Sequence, residues 1–205
     1  MCSLIGSFSA EKFKELIDIN QFRGTFSYSY FNTNTAKIQK DFGMYNHSVI
    51  EPTGFKIGHV QAPTGGLIKD INRIHPTEIR GSLLWHNGII TSQGIKKLQN
   101  QYNQDTTFDT FLLHNAIVND GFEVLSKIEG LFTCVFYFEN NYYIFRTKHG
   151  KLYIDGDLNF SSEKFENSKC INFDVIYKLD FNEKKLIICD SFETLRYNVV
   201  IDGEL

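Results

Sequence analysis

Proline is scarce in this chain of 205 residues, with 3 in all. Proline interrupts helix interiors and central strands, so its scarcity leaves most of the chain open to regular structure. Cysteine occurs 4 times, at Cys2, Cys134, Cys170 and Cys189, with no Cys-x-x-Cys pair. That scatter speaks against a zinc site or a thioredoxin-like motif, and no metal or cofactor is expected. No apolar run approaches the roughly 20 residues of a membrane span, and the amino terminus lacks a basic-then-apolar leader. Neither sign of charge dominates: the formal net charge is -3, which gives no footing for nucleic acid or an anionic membrane as partner. The expected setting is cytoplasmic, with reduced thiols.

Aromatic residues are plentiful, at 15% with 19 Phe and 10 Tyr. Such side chains suit the half-buried pleated surface, so a β-rich domain is expected. The length suffices for a buried core, and a single domain over residues 2–205 is expected. Residues 25–31 alternate Phe26, Tyr28 and Tyr30 with small polar residues, a period-two strand pattern. Further strands are expected at 2–7, 55–61, 81–85, 131–139, 141–147, 152–155, 158–161, 173–179 and 184–190. Ser9 is a plausible N-cap for an amphipathic helix carrying Phe13, Leu16 and Ile17 on one face. Helices are also expected at 91–102, 110–119 and 122–128, while 35–45 carries no clear pattern. Pro63-Thr64-Gly65-Gly66 reads as a loop and His86-Asn87-Gly88 as a tight turn. Cys134 and Cys189 fall in or at the end of apolar runs and read as small buried hydrophobes. The pattern is that of an α+β fold.

Cys2 stands immediately after the initiator methionine. Removal of Met1 would leave a thiol and a free α-amine on one residue. An α-amine titrates near pH ~7.7–8.0, so the nucleophile would carry its own base. Acyl transfer also needs donors for an oxyanion, and the Asn87 amide and Gly88 N–H can supply them. Asn-Gly is equally the commonest hairpin turn. Asp109 can be either a ligand-binding carboxylate or a cap for the helix that follows.

Several short pieces occur in a fixed order. They are Met1-Cys2 before Ile5-Gly6, Arg23-Gly24 with Ser27, and Gly58-His59-Val60-Gln61-Ala62-Pro63-Thr64-Gly65. His75-Pro76, His86-Asn87-Gly88-Ile89-Ile90, Asp109-Thr110, Gly130 and Arg146 follow. Together they resemble the glutaminase domain of class II glutamine amidotransferases, of the N-terminal-nucleophile hydrolase type. The wording is nearest to the domain fused in glucosamine-6-phosphate synthases, and the likeness runs from Cys2 to about Ser162.

The resemblance implies a four-layer αββα sandwich of two mostly antiparallel sheets. It implies that Cys2 attacks the side-chain amide of glutamine through a thioester intermediate, with its own α-amine as base and Asn87 and Gly88 as the oxyanion hole. Asp109 would hold the substrate ammonium, Arg23 would support the nucleophile's loop, and Thr64 and His75 would line the glutamine pocket. The chain departs from the family where Gln61 stands in place of the arginine that pairs with the substrate carboxylate. Arg73 or Arg80 are candidate substitutes for that charge. Gly65 and Phe26 replace residues that are often His and Asp.

Three readings follow. The first is a glutaminase that releases ammonia to a separate synthase subunit, since no synthase domain is expected within 2–205. The second is an amidase or acyltransferase on another γ-glutamyl or amide substrate, motivated by Gln61. The third is a non-catalytic regulatory homologue.

Overall fold

The computed structural model describes residues 2–62 and 69–195. Strands dominate it, and every strand pairing is antiparallel. The first half supplies β1 (Ser3–Ser7), β2 (Ser27–Asn32), β3 (Lys37–Phe42), β4 (Lys56–Gln61), β5 (Thr77–Ile79) and β6 (Ser82–Ile90). The second supplies β7 (Gly130–Phe138), β8 (Asn141–Arg146), β9 (Tyr153–Ile154) and β10 (Phe160–Ser161). It ends with β11 (Lys169–Cys170), β12 (Val175–Asp180) and β13 (Lys185–Ser191). One sheet has the order β11-β9-β10-β1-β4-β2-β3 and the other β13-β12-β8-β7-β6-β5.

Alternation along the strands sorts residues into layers. Leu4 of β1, Phe31 of β2 and Ile57 of β4 face Leu83 and Trp85 of β6, Val135 of β7 and Ile144 of β8, forming the core between the sheets. The opposite face of the first sheet gives Ile5, Tyr28, Tyr30 and Val60 to helix α1 (Ala10–Asn20). That helix starts where Ser9 Oγ accepts the Lys12 N–H at 3.1 Å, and it buries Phe13, Leu16 and Ile17. The outer face of the second sheet gives Leu84, Phe132 and Phe136 to α2 (Ser92–Tyr102) and α3 (Asp109–Asp120), which bring Leu98, Leu112, Leu113 and Ala116. The result is the expected αββα sandwich. No described helix is long and apolar enough to cross a membrane.

Two local expectations need correction. His86-Asn87-Gly88 is not a turn: β6 runs straight through it, with Asn87 opposite Thr133, Gly88 opposite Phe132 and Ile90 opposite Gly130. The nine residues of β7 keep β6 in register past the point where the residue pair alone would reverse the chain. Glycine is required there by contact, because a Cβ on Gly88 would lie 1.9 Å from the Leu131 carbonyl oxygen. Cys189 is exposed rather than buried, since β13 is an edge strand, whereas Cys134 is fully buried. The short helix expected at 122–128 is a 3-10 helix over Phe122–Lys127. The loop reading of Pro63-Thr64-Gly65-Gly66 lies outside the described residues.

Candidate active site

The same alternation that buries Leu4 aims Cys2, two residues earlier, into the gap between the sheets. It likewise aims Gln61 of β4, Asn87 of β6 and Thr133 of β7 inward at that end, where the apolar core gives way to a cleft of about 560 Å³. All four line the cleft, together with Arg23, Arg73, His75, Phe108 and Asp109.

Cys2 is half-buried and forms no disulfide. Its Sγ lies 3.6 Å from the Ala62 carbonyl oxygen. Burial pushes the thiol up from its ordinary range, and the Ala62 contact and the positive amino terminus partly offset this. Arg23 reaches the backbone of Cys2: its Nε donates to the Cys2 carbonyl at 3.1 Å, and its Nη1 pairs with Glu163. The turn that carries Arg23 packs tightly, since a Cβ on Gly24 would come within 2.5 Å of the Gln61 backbone.

Asn87 donates through Nδ2 to Ser162 Oγ at 3.0 Å, and that oxygen also accepts the Leu4 N–H at 2.9 Å. The amide is thus oriented by a group that also ties down the strand following Cys2. Opposite it, the Thr133 hydroxyl is buried, lines the cleft and has no partner among the described residues. The sequence offered no sign of Ser162 or Thr133, because only long-range pairing brings them here.

Asp109 opens α3 without a side-chain cap from Phe108 before it. Its Oδ1 accepts the Thr110 N–H at 2.8 Å and its Oδ2 accepts the Ile90 N–H at 3.4 Å. The carboxylate thus sits in the first turn of α3 and lines the cleft, while Phe108 rather than Asp109 holds the N-cap position. Gln61 is bonded within the protein at both ends: Oε1 accepts from Ser27 Oγ at 2.7 Å, and Nε2 donates to the Arg73 carbonyl at 3.3 Å. Arg73 lines the cleft, whereas Arg80 lies apart from it, 3.5 Å from Asn119 Oδ1. Thr64 lies outside the described residues.

His75 is buried under the cleft in a cluster with His59 and His86. The rings of His59 and His75 are 4.1 Å apart, and His75 and His86 share the Thr110 hydroxyl at 2.7 and 3.1 Å. His59 Nε2 donates to the His86 carbonyl at 3.2 Å across the sheet gap. Burial lowers the pKa of all three, taking His59 to about 3, so each imidazole is neutral. Among the described residues no group of His, Cys, Asp or Glu is arranged to hold a metal ion.

This arrangement brings a thiol, a side-chain amide on the facing strand, a carboxylate and two arginines to the wall of one cleft. Such a set of groups is chemically able to support acyl transfer.

No protein-family model matches the chain, and no curated protein matches it in sequence. Solved structures do match in fold. Glutamine phosphoribosylpyrophosphate amidotransferase from B. subtilis superimposes with a TM-score of 0.69 at 16% identity, covering 94% of this chain and 49% of that one. A structure described as the allosteric regulatory enzyme of purine biosynthesis gives 0.65 at 20% identity, covering 88% and 47%. A glutamine aminotransferase class-II domain protein from Silicibacter pomeroyi gives 0.52 at 12% identity, covering 93% and 99%. The chain spans about half the length of the first two. At these identities the likeness concerns architecture: the chain has the αββα sandwich found in class II glutamine amidotransferases and the N-terminal-nucleophile hydrolases.

Proposed function

We propose that this chain is a glutamine amidohydrolase whose nucleophile is Cys2, exposed as the first residue by removal of Met1. The observation that carries the reading is the placement of Cys2 in the cleft opposite Asn87 and Gly88, with Arg23 fastened to its own carbonyl. The α-amine takes the thiol proton as sulfur attacks the side-chain carbonyl of glutamine. The Asn87 amide and the Gly88 N–H stabilise the oxyanion. Collapse breaks the C–N bond, the amine returns the proton to the leaving nitrogen, and ammonia departs. Water then attacks the glutamyl thioester, and the amine, again as base, accepts its proton. Collapse breaks the C–S bond, the amine returns its proton to the sulfur, and glutamate leaves with the thiol regenerated. Asp109 holds the substrate ammonium, and His75 lines the pocket beside it. Ammonia passes to a separate acceptor-binding synthase subunit.

The test is release of glutamate and ammonia from glutamine by chain that intact-mass measurement shows to begin at Cys2, with Cys2→Ala alongside. Activity lost in Cys2→Ala supports the reading. Equal activity in both, or none in the unaltered protein, overturns it. A second reading, an amidase or acyltransferase for a different γ-glutamyl or amide substrate, is favoured by one observation: Gln61 spends its polar atoms on Ser27 and Arg73. Turnover of such an amide with no turnover of glutamine would select it.

A further inference from the structure

A zwitterionic amino-acid substrate needs an anion and a cation held close together. The cleft supplies the anion in Asp109, but Gln61 is poorly placed to bind a carboxylate. It is 7% exposed, its oxygen is bonded to Ser27, and one of its two amide protons is directed at the Arg73 backbone. That last bond has a different consequence: it pins the main chain of Arg73 at the wall of the cleft. Arg73 closes a 3-10 turn (Ile71–Arg73) whose start is capped by Asp70, through Oδ1 accepting the Asn72 N–H at 2.9 Å.

From this anchored position the Arg73 guanidinium lies over the Phe108 ring, 5.8 Å from its centroid. Phe108 immediately precedes Asp109, so guanidinium and carboxylate flank a single aromatic residue at the cleft. No carboxylate among the described residues pairs with Arg73. The other cations along the cleft are less suited to the task. Arg23 is engaged by Glu163 and the Cys2 carbonyl, and Lys151 and His149 stand exposed at its outer edge. A guanidinium stacked on an aromatic ring keeps its planar fork available for two parallel bonds to a carboxylate.

We propose that Arg73 binds the α-carboxylate of the amino-acid substrate, with Gln61 as the residue that positions it. This inference rests on the glutaminase reading above and relocates its specificity determinant from β4 to the turn after it. Arg73 thereby selects an α-amino acid with a free carboxylate over its amide.

The test compares glutamine with glutaminamide, in which the α-carboxylate is a carboxamide, on the Cys2-initiated protein and its Arg73→Gln and Arg73→Lys variants. The loss of a charge-assisted pair corresponds to about 10–100-fold in binding. Arg73→Gln is expected to raise KM for glutamine by about that factor while leaving kcat within about threefold and KM for glutaminamide unchanged. Arg73→Lys should recover part of the loss, which a merely structural role would not produce. An unchanged KM for glutamine in an active Arg73→Gln variant overturns this inference and leaves the glutaminase reading standing. An equal rise in KM for both compounds also overturns it. Absence of Cys2-dependent ammonia release from glutamine in the unaltered protein overturns both.

Discussion

Asn87 and Ser162, 75 residues apart in the chain, are joined by a hydrogen bond of 3.0 Å from the side-chain amide to the hydroxyl. Ser162 is therefore expected to position Asn87, the proposed oxyanion donor. Ser162→Ala should lower kcat by about 10-fold or more, short of the ~10²–10³ typical for loss of the donor itself. KM for glutamine should change little, and Ser162→Thr should restore part of the rate. A Ser162→Ala enzyme with an unaltered kcat would show that Asn87 needs no such support.

Gly88 lies against the backbone of β7, and Gly88→Ala tests that contact. With a Cβ 1.9 Å from the Leu131 oxygen, the two strands must separate. The expected outcome is destabilisation of about 1–3 kcal/mol or more, read from the urea midpoint, together with loss of ammonia release. Retention of both would mean the strands part easily.

Selective labelling distinguishes Cys2 from the other thiols. Cys170 and Cys189 are exposed, so a general alkylating agent has access to them, while Cys134 is fully buried and its thiol is pushed well up by desolvation. A glutamine-shaped electrophile such as diazo-oxo-norleucine is expected to mark Cys2 alone, because only that thiol lies in the cleft. Mass mapping that finds the label on Cys170 or Cys189 with Cys2 untouched would defeat the assignment of the nucleophile.

His59, His75 and His86, clustered under the cleft, predict how stability depends on pH, and the buried His114 acts in the same direction. In the unfolded chain each imidazole titrates near pH ~6.5, whereas burial lowers all three in the folded protein, His59 to about 3. Neighbouring imidazoles and Lys40 push His75 the same way, and Asp109 partly opposes the shift at His86. Between these values the unfolded state binds more protons, so stability is fully present above pH ~6.5 and falls as pH drops below it. The slope reaches at most about 1.4 kcal/mol per pH unit for each histidine. The urea midpoint should fall between pH 7.5 and pH 5, and His59→Asn should flatten that fall. Identical midpoints at the two pH values would refute the linkage.

Much of the architecture was legible because it follows local rules. Tyr28 and Tyr30 alternate with serines, and the Phe13, Leu16 and Ile17 stripe follows a serine cap, so β2 and α1 were visible directly. β3 was hidden because Lys37–Phe42 is a mostly polar edge strand held by its neighbour rather than by burial. Asn87-Gly88 misled because turn propensity is local, whereas pairing with β7 is not. In the site, Cys2 and Asp109 could be picked out by residue type and order. The bonds that occupy Gln61, and the arrival of Ser162 and Thr133, depend on partners far along the chain.

The place of β1 between β4 and β10 also sets a schedule. Leu4 is bonded to Ser162, 158 residues further on, and Ile5 is paired with Ser161. At about 5–20 residues per second, a ribosome needs roughly 10–30 s to synthesise that intervening length. During that interval the strand behind the candidate nucleophile has no β10 to pair with, and Asn87 has no Ser162 to orient it. Such distant pairing makes for high contact order and slow folding. A nascent chain shorter than this carries Cys2 long before it carries the finished cleft.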